Sequence, residues 1–468
     1  MARKWWTLLV VCLAIFMLLL DVTIVNVALP SIQKELGSSF EDLQWVVDAY
    51  ALALAAVLLA SGSLGDLLGR RSVFVIGLVV FSLASLLCGL SGSPLMLNLS
   101  RALQGAGGAM MFANSLALIA QEFPANERGT ALGIWGATTG FAVAVGPLVG
   151  GALTDAFGWE WIFLVNVPIG VLTLGLTLMK VRDSERDPTA RIDWLGLVTF
   201  SAGLSCLVFA LIRGNDEGWG STTIVALLVA GALLLAAFTV VERRQDQPML
   251  DLRLFRIPTF TGAQIVAFTL HASMFSMFLY ITLYMQNILG YTPLESGLRF
   301  LPISVLSFLA APVAGKLVER YPVRLFLTAG LALIGLGLVE MHGVKPSDDW
   351  TTLLPGFILA GIGIGFVNPP LAAAAIGVVE PRRSGAASGV NSTARQVGTA
   401  VGIAGLGAIL QSKLSHGLGA GSLGGPAAGS AYINALNDLF LVAAAVAFAG
   451  AACAAVLIRR RDFVGAAA

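Results

Sequence analysis

Charged side chains are scarce in this sequence. Of its 468 residues, 12% are Asp, Glu, Lys or Arg, whereas 57% are hydrophobic. No soluble domain can bury that much apolar surface, so lipid must be the solvent for much of the chain. The formal net charge is only +1, which argues against a nucleic-acid partner, because surfaces that bind nucleic acid are strongly basic. The composition therefore indicates a protein whose main partner is the lipid bilayer.

Cysteine and the common site motifs are also sparse or missing. The four cysteines (Cys12, Cys88, Cys206 and Cys453) all lie inside apolar runs, which is typical of small buried residues rather than of disulfides or a metal site. The sequence has no G-x-x-x-x-G-K-[ST] motif, so nothing supports ATP-driven transport by this chain. It also has no His/Cys metal spacing and no polar catalytic set. We expect neither a cofactor nor enzymatic activity.

What the sequence has in abundance is long apolar segments. A bilayer core requires about 20 mostly apolar residues per helix, and fourteen segments satisfy this length. They are predicted to be helices, because an unpaired backbone group in hydrocarbon costs several kcal/mol. We place them at 5–29, 45–64, 73–92, 96–120, 131–154, 161–179, 193–213, 221–241, 260–285, 296–315, 325–342, 353–376, 386–410 and 436–458. The Gly-, Ala- and Ser-rich connection 411–435 is predicted to be a flexible loop. The fold class is therefore an all-α polytopic membrane protein.

Basic residues indicate how these segments are oriented. If the N-terminus is placed in the cytoplasm, 21 of the 28 Lys and Arg residues fall on that side and three in the opposite loops, Lys34, Lys345 and Lys413. Because basic loops stay on the cytoplasmic side of a membrane, this asymmetry predicts that both termini are cytoplasmic. The stretch from Gly62 to Arg71, between the second and third segments, is then a charged hairpin tip in the cytoplasm.

Two parts of the chain repeat in sequence. The stretch RGTALGIWGATTGFAVAVGPLVGG from Arg128 is similar to SGAASGVNSTARQVGTAVGIAGLG from Ser384, and the turns around Gly65 and Gly315 also match. Parallel repeats of this kind are typical of transporters whose substrate path lies between the two halves. We therefore predict a six-helix bundle at 1–180, a linker with two additional helices at 181–259, and a second six-helix bundle at 260–468.

Several motifs then point to one family. The stretch GSLGDLLGRR from Gly62 resembles the loop between helices two and three of the major facilitator superfamily. LDVTIVNVALP from Leu20 and RALQGAGGA from Arg101 resemble the first- and fourth-helix motifs of its fourteen-span drug:proton antiporters, the EmrB/QacA type. AVAVGPLVGG from Ala142 resembles the antiporter motif of helix five, with alanine where a first glycine is usual. WEWIFLVNVPIG from Trp159 resembles the sixth-helix motif.

The resemblance implies two six-helix bundles plus two extra helices, fourteen in all, and proton-coupled export. It also implies a gate in the hairpin, where Asp66 with Arg70 and Arg71 would fasten helix two to a helix end of the second bundle. The sequence departs from the family at Glu160, where arginine is usual. The predicted gating residues are Gly62, Gly65, Asp66, Gly69, Arg70, Arg71, Gly146, Pro147, Gly150 and Gly151.

Three ionisable residues are predicted to lie at similar depth in the first bundle. Asp21 is costly to insert, at roughly 2.5–3.5 kcal/mol for a centre-placed Asp, so it is either held in a structural ion pair or binds a proton or a cationic substrate. Arg101 would tune that carboxylate. Asp48 stands beside Trp45 and Tyr50, aromatic residues typical of a membrane interface, and is therefore either an auxiliary carboxyl group or simply solvated.

The remaining candidates have plainer alternatives. Pro147 and its flanking glycines would kink a helix and let a neighbour approach closely, either as a gate or as ordinary helix packing. In the second bundle, His271 is either a proton relay or a hydrogen-bonded core residue. Arg395 needs a partner in the membrane. The predicted substrate path consists of Asn26, Gln104, Asn114, Arg395 and Gln396.

The sequence thus predicts a secondary transporter of the bacterial inner (cytoplasmic) membrane. It would exchange protons for small amphipathic drugs or toxic compounds, some of them cationic, by alternating access, and would function as a monomer. One alternative keeps the fold but exports a single metabolite, lipid or antibiotic made by the host. The other is a membrane sensor that transports nothing.

Overall fold

The computed structural model of the protein describes residues 3–182, 193–245, 248, 250–318, 320–379, 384–418 and 426–463. Within these ranges the regular structure is entirely helical. The α-helices are α1 (Arg3–Leu36), α2 (Phe40–Leu68), α3 (Arg70–Gly89), α4 (Pro94–Glu122), α5 (Ala125–Phe157), α6 (Trp161–Leu164), α7 (Asn166–Lys180), α8 (Trp194–Glu217), α9 (Thr222–Arg244), α10 (Pro258–Leu270), α11 (Ser276–Leu283), α12 (Pro293–Arg299), α13 (Leu301–Leu317), α14 (Val323–Glu340), α15 (Leu354–Ile376), α16 (Ser384–Leu418) and α17 (Pro426–Leu457). The predicted all-α class is confirmed.

The helices also have the length that a bilayer requires. Among the described residues, thirteen helical stretches are long and apolar enough to cross a membrane. The remaining predicted segment corresponds to α2, a helix of 29 residues. Some predicted segments are interrupted. Segment 260–285 contains a π-helical turn at His271–Phe275, and a second one at Tyr284–Ile288 extends past its predicted end. In segment 296–315, Pro302 lacks an N–H donor and stands in the first turn of α13, where α12 gives way to a new helix.

The predicted flexible loop at 411–435 is largely wrong. Helix α16 continues to Leu418 and α17 begins at Pro426, which leaves only 419–425, outside the described residues, as the connection. The alanines of this stretch are strong helix formers, and proline is favoured in the first turn of a helix. The Gly-, Ala- and Ser-rich composition of 411–435 is therefore compatible with the extended helices α16 and α17.

The stretch from Gly62 to Arg71, predicted to be a hairpin tip, is mostly helical. Helix α2 runs through it to Leu68 and α3 starts at Arg70, so Gly69 alone connects them. Its φ of 95° and ψ of 129° lie in a region that side chains rarely adopt. The N–H of Gly69 donates to Gly65 O at 3.0 Å, which closes α2 directly before α3 starts.

We predict that Gly69→Ala lowers stability by about 1–3 kcal/mol, because a Cβ is strained at this backbone conformation. The matched control is Gly62→Ala. Gly62 is helical and a Cβ there would meet nothing within 4 Å, so that variant should match wild type or gain up to about 1 kcal/mol. Thermal unfolding in detergent measures both, and equal midpoints for the two variants would contradict the prediction.

The chain forms two compact units. The first contains Met1–Leu204, Leu233–Leu252 and Gly385–Thr393, and the second contains Ser205–Ala232, Arg253–Ser384 and Ala394–Ala468. Helices α8 and α9 are therefore each divided between the units along their length. The core of the first unit is built around α1, whose fully buried side chains include Val10, Ile15 and Met17.

Candidate functional site: a buried carboxylate network in the first unit

Asp21 lies in the middle of α1 with no solvent-exposed surface. Its Oδ2 accepts a hydrogen bond from Nη1 of Arg101 at 2.6 Å, and the two side chains form an ion pair that is 0% and 1% exposed. Charge-assisted bonds of this length are roughly twice as strong as neutral ones. The sequence predicted one cluster of Asp21, Asp48 and Arg101, and the structure brings Asp21 and Arg101 together but leaves Asp48 without a hydrogen bond to either.

Two amides complete the shell around the carboxylate. Gln104 Nε2 and Asn166 Nδ2 donate to Asp21 Oδ1 at 2.8 and 3.0 Å. The same amide nitrogens donate to Ser85 Oγ at 2.6 and 3.4 Å. Side chains from α1, α3, α4 and α7 therefore converge on one carboxylate. Asp21 thus accepts three hydrogen bonds and faces a positive charge, so both of its buried oxygens have partners.

Arg101 is held on every side. Its Nε donates to the carbonyl of Val46 at 3.0 Å, and its Nη1 also donates to Gln104 Oε1 at 2.6 Å. The guanidinium carbon lies 4.2 Å from the ring centroid of Tyr50 and 5.6 Å from that of Phe163. Stacking on aromatic rings suits the planar arginine side chain better than it would suit lysine. The arginine is thus oriented by α2 and α6 as well as by Asp21.

Glycines on α4 explain how the helices come this close. A Cβ on Gly105 would lie 2.3 Å from the carbonyl oxygen of Tyr50, and one on Gly107 would lie 2.6 Å from the backbone nitrogen of Phe81. Small residues allow backbones to approach in a membrane protein. The run RALQGAGGA therefore supplies both the polar groups and the close contacts of α4 with α2 and α3 that position them.

Asp48 does not join this network. Tyr50 of α2 stacks on Arg101. Asp48 lies two residues earlier, about 200° around the helix, and is therefore on a different face of α2. Asp48 is 0% exposed, and neither of its carboxyl oxygens has a hydrogen-bond partner in the described structure. The alternative of simple solvation is therefore wrong, and Asp48 is a second buried carboxyl group in the first unit.

The predicted glycine-proline gate packs against the helix that carries Asp21. A Cβ on Gly146 would lie 1.8 Å from Thr23 Oγ1, and one on Gly150 would lie 2.7 Å from the carbonyl oxygen of Ile24. Pro147 is buried within α5 between them. Both glycines thus bring α5 against α1 at Thr23 and Ile24, two and three residues after Asp21. Gly151 is buried in the next position of the same helix.

The hairpin candidates have local partners. A Cβ on Gly65 would lie 2.0 Å from Asn114 Oδ1, so Asn114, predicted to line the substrate path, occupies the contact between α2 and α4. Arg71 Nη2 donates to the carbonyl of Leu178 at the end of α7, at 2.7 Å. The side chain of Asp66 lies outside the described residues, so its predicted latch stays a prediction. Arg70 is half-buried on α3.

The remaining path and relay candidates are described by their own surroundings. Asn26 Nδ2 donates within its own helix to Val22 O at 3.3 Å. In the second unit, His271 Nδ1 bonds Ala267 O at 3.1 Å, and its ring stacks on Phe275 with centroids 4.3 Å apart. These are the contacts of the core histidine that the sequence left as an alternative. On α16, Arg395 Nη1 donates to Asn368 Oδ1 at 3.3 Å and Gln396 is half-buried.

Comparison with known proteins decides the family. The sequence model of the Major Facilitator Superfamily matches residues 11–403 of the chain. The chain belongs to this superfamily. The multidrug resistance protein Stp of Mycobacterium tuberculosis is 38% identical over 410 residues, which are 87% of this chain and 76% of that protein. The puromycin resistance protein pur8 of Streptomyces alboniger is 37% identical, covering 86% and 81%. The tetracenomycin C resistance and export protein of Streptomyces glaucescens is 33% identical, covering 88% and 77%.

The fold agrees with that of a solved bacterial transporter homologue. The crystal structure of a bacterial homologue of the human lysosomal transporter Spinster, in an inward-facing and unoccupied conformation, matches with a TM-score of 0.68. It covers 100% of this chain and 99% of its own at 18% identity. The predicted major facilitator fold is confirmed, and the chain is a multi-pass membrane transporter of this superfamily.

Two residues of this transporter's site were missed in the sequence. Ser85 and Asn166 hydrogen-bond the same amide and carboxylate groups as the predicted residues. Asn166 stands in the sixth-helix motif, which was a usable signal, but Ser85 is one of many serines in apolar helices. Gln104, predicted for the substrate path, lies in the shell of Asp21.

Proposed function

We propose that this protein is a proton-coupled antiporter of the fourteen-span drug:proton type, which exports small amphipathic compounds by alternating access. The observation that carries the proposal is the buried Asp21 carboxylate with Arg101, Gln104 and Asn166 around it. An ionisable group within the membrane is costly and marks an ion or proton pathway by default. The antiporter works as a monomer in the bacterial cytoplasmic membrane, with both termini in the cytoplasm.

In this proposal the ion pair is the proton-free state of the carrier. A proton that binds Asp21 removes its negative charge and weakens the bond to Arg101. A cationic substrate acts at the same place in a different way, because its positive charge replaces the guanidinium as the partner of Asp21. Proton and substrate thereby compete for one carboxylate, which is the requirement for exchange.

The contact of α5 with α1 supplies the mechanical link. Gly146 and Gly150 bring α5 against the part of α1 that starts two residues beyond Asp21. A change in the bonding of Asp21 alters the position of α1, and α5 must follow because the two backbones are too close to move independently. Protonation is thereby coupled to the opening and closing of a gate.

Asp48 is proposed to hold a proton while Asp21 is ionised. An isolated carboxylate charge in a buried site costs several kcal/mol, and in the described structure Asp48 has neither a hydrogen bond nor an ion pair to offset that cost. The buried surroundings of Asp48 therefore favour its neutral, protonated form. The two acids of the first unit then differ in protonation state in one conformation, which gives a proton two places to reside.

We predict that Asp48→Asn leaves stability within about 1 kcal/mol of wild type, because an amide resembles a neutral carboxyl group in size and charge. Proton-driven transport should fall, since the amide cannot exchange a proton. Thermal unfolding in detergent and transport in vesicles with an imposed pH gradient measure the two effects. A large gain in stability would show that wild-type Asp48 is ionised and would contradict the assignment.

The function itself is tested with purified protein in sealed proteoliposomes that contain a pH-sensitive dye. Addition of a cationic drug such as ethidium should release protons from the protein, and an imposed pH gradient should drive drug accumulation. Protein-free vesicles provide the baseline. Drug movement without any proton movement would rule out antiport, and movement of neither would favour the sensor alternative.

A dedicated exporter on the same fold is the second candidate. It is favoured by relatives that are named for a single antibiotic, such as puromycin and tetracenomycin C. Competition separates the two candidates. If unrelated cationic and neutral drugs each inhibit ethidium transport, the antiporter is broad, whereas a single effective competitor would identify a dedicated cargo.

A further inference from the structure

Two other carboxyl groups of the first unit are buried against each other. Asp193 directly precedes α8, Glu242 lies in the last turn of α9, and their exposed fractions are 6% and 3%. A Cβ on Gly196 would lie 2.5 Å from Asp193 Oδ2 and 2.6 Å from Glu242 Oε1. Both oxygens therefore border the same small space, and the two carboxyl groups are within hydrogen-bonding reach of each other.

The outer oxygen of each group has a donor of its own. Asp193 Oδ1 accepts from the N–H of Gly196 at 2.7 Å and from Gln245 Nε2 at 3.2 Å. Glu242 Oε2 accepts from the N–H of Leu250 at 2.9 Å. The two facing oxygens, Asp193 Oδ2 and Glu242 Oε1, have no donor among the described residues. Two ionised carboxylates would therefore face each other here with no hydrogen bond between them.

No basic side chain compensates the pair in the part of the chain that the structure describes. Arg243 and Arg244 follow Glu242 on the same helix, but both are exposed, whereas the buried Asp193 carboxyl group acts directly on Glu242. Two adjacent carboxylates in a buried site repel each other, so one of them takes up a proton. One proton between them makes one oxygen a donor and the other its acceptor.

We propose that Asp193 and Glu242 share one proton and form a proton-binding site separate from Asp21. The proton fastens the start of α8 to the end of α9. Through Glu242 Oε2 it also holds the backbone at Leu250, two residues before the first unit ends at Leu252. In this proposal α8 and α9, the two extra helices, hold the segment from Glu242 to Leu250 in place in a way that depends on pH.

A proton suits this site better than a metal ion. Ca²⁺ takes 6–8 oxygen ligands and Mg²⁺ requires octahedral coordination, whereas the described site offers two free carboxylate oxygens beside a glycine. No group of three or more metal-binding side chains is found among the described residues. A shared proton at Asp193 and Glu242 does not require transport, so its presence can be tested independently of the antiport mechanism.

Infrared spectroscopy tests the shared proton directly on the full-length protein. The variants Asp193→Asn and Glu242→Gln are each made in an Asp48→Asn background, which removes the other carboxyl group that we infer to be protonated. We expect the band of a protonated carboxyl group at neutral pH, and we expect Asp193→Asn and Glu242→Gln each to remove it, since an amide then donates to the remaining carboxylate. A band that persists in both single variants would overturn the proposal.

Hydrogen exchange at Leu250 tests the clamp. After correction for intrinsic exchange, protection of the Leu250 amide in wild type should fall by up to about tenfold per pH unit above the pH at which the shared proton leaves. Asp193→Asn should abolish this pH dependence and keep the protection. The control Glu217→Gln, which removes an exposed partner of Arg213, should behave as wild type. Protection that is independent of pH in wild type, or that requires Mg²⁺ or Ca²⁺, would overturn the proposal.

Discussion

Replacing Asp21 with asparagine is expected to reduce transport driven by a pH gradient to the rate of protein-free vesicles. The amide keeps the size of the side chain and can still accept hydrogen bonds from Gln104 and Asn166, but it cannot bind or release a proton at any accessible pH. It also removes the charge that a cationic substrate would need. Dye-loaded proteoliposomes with an imposed pH gradient measure the loss, and wild-type rates would contradict the proposed role.

Asp21→Asn also affects stability, and this effect must be separated from transport. The variant leaves Arg101 buried without its counter-charge, and breaking a buried pair in this way costs about 3–5 kcal/mol. Pairing it with Arg101→Met removes the stranded charge as well, so Asp21→Asn/Arg101→Met should unfold at a temperature closer to that of wild type. Replacing a buried pair by well-packed apolar groups is often neutral or stabilising.

The double variant therefore distinguishes the two explanations of the ion pair. If Asp21 and Arg101 serve only as a structural bond, restoring stability should restore transport. If Asp21 carries the proton, the double variant should be stable and still inactive. Thermal unfolding and vesicle transport are measured on four proteins, which are wild type, Asp21→Asn, Arg101→Met and the double variant. Together they form a double-mutant cycle, which gives the coupling between the two positions in stability and in transport. Active double-variant protein would refute the carrier assignment.

The contact between Asp21 and Arg101 could be predicted because depth along a helix can be counted from sequence. The rotation of one helix against another cannot be counted in this way, and it determines which polar groups complete the shell. Asn166 and Ser85 were missed for this reason. The same limit applies to Asp48, whose aromatic neighbours suggested a solvated interface. The helix rotation instead places Tyr50 on Arg101 and leaves Asp48 buried on another face.

Helix ends were harder to predict than helix existence. Hydropathy identified the apolar segments because lipid demands about 20 apolar residues per span. It gave no information on polar or small-residue extensions of those helices beyond the apolar core. Helix α2 therefore runs to Leu68 through residues interpreted as a turn, and α16 runs to Leu418 through residues interpreted as a loop. The single residue that makes the hairpin sharp, Gly69, is identified by its backbone angles alone.

Gly150→Ala is expected to impair transport strongly because it separates α5 from α1. A Cβ at this position would lie 2.7 Å from the carbonyl oxygen of Ile24 and 3.2 Å from its Cα, which are backbone atoms that cannot rotate away. Overpacking of this kind typically costs about 1–3 kcal/mol. The added methyl group therefore forces α5, which carries the proposed gate, away from the helix that carries Asp21.

The matched control lies on the same helix. A Cβ on Gly136 would meet nothing within 4 Å, so Gly136→Ala should match wild type in transport and gain up to about 1 kcal/mol in stability from better helix propensity. Both variants should still bind ethidium, measured by fluorescence in detergent, because neither removes Asp21. Equal loss of transport in the two variants would mean that glycine is needed for the flexibility of α5 in general. A loss confined to Gly150→Ala, with binding retained, would mean that transport depends on the close contact between α5 and the carboxylate-bearing helix.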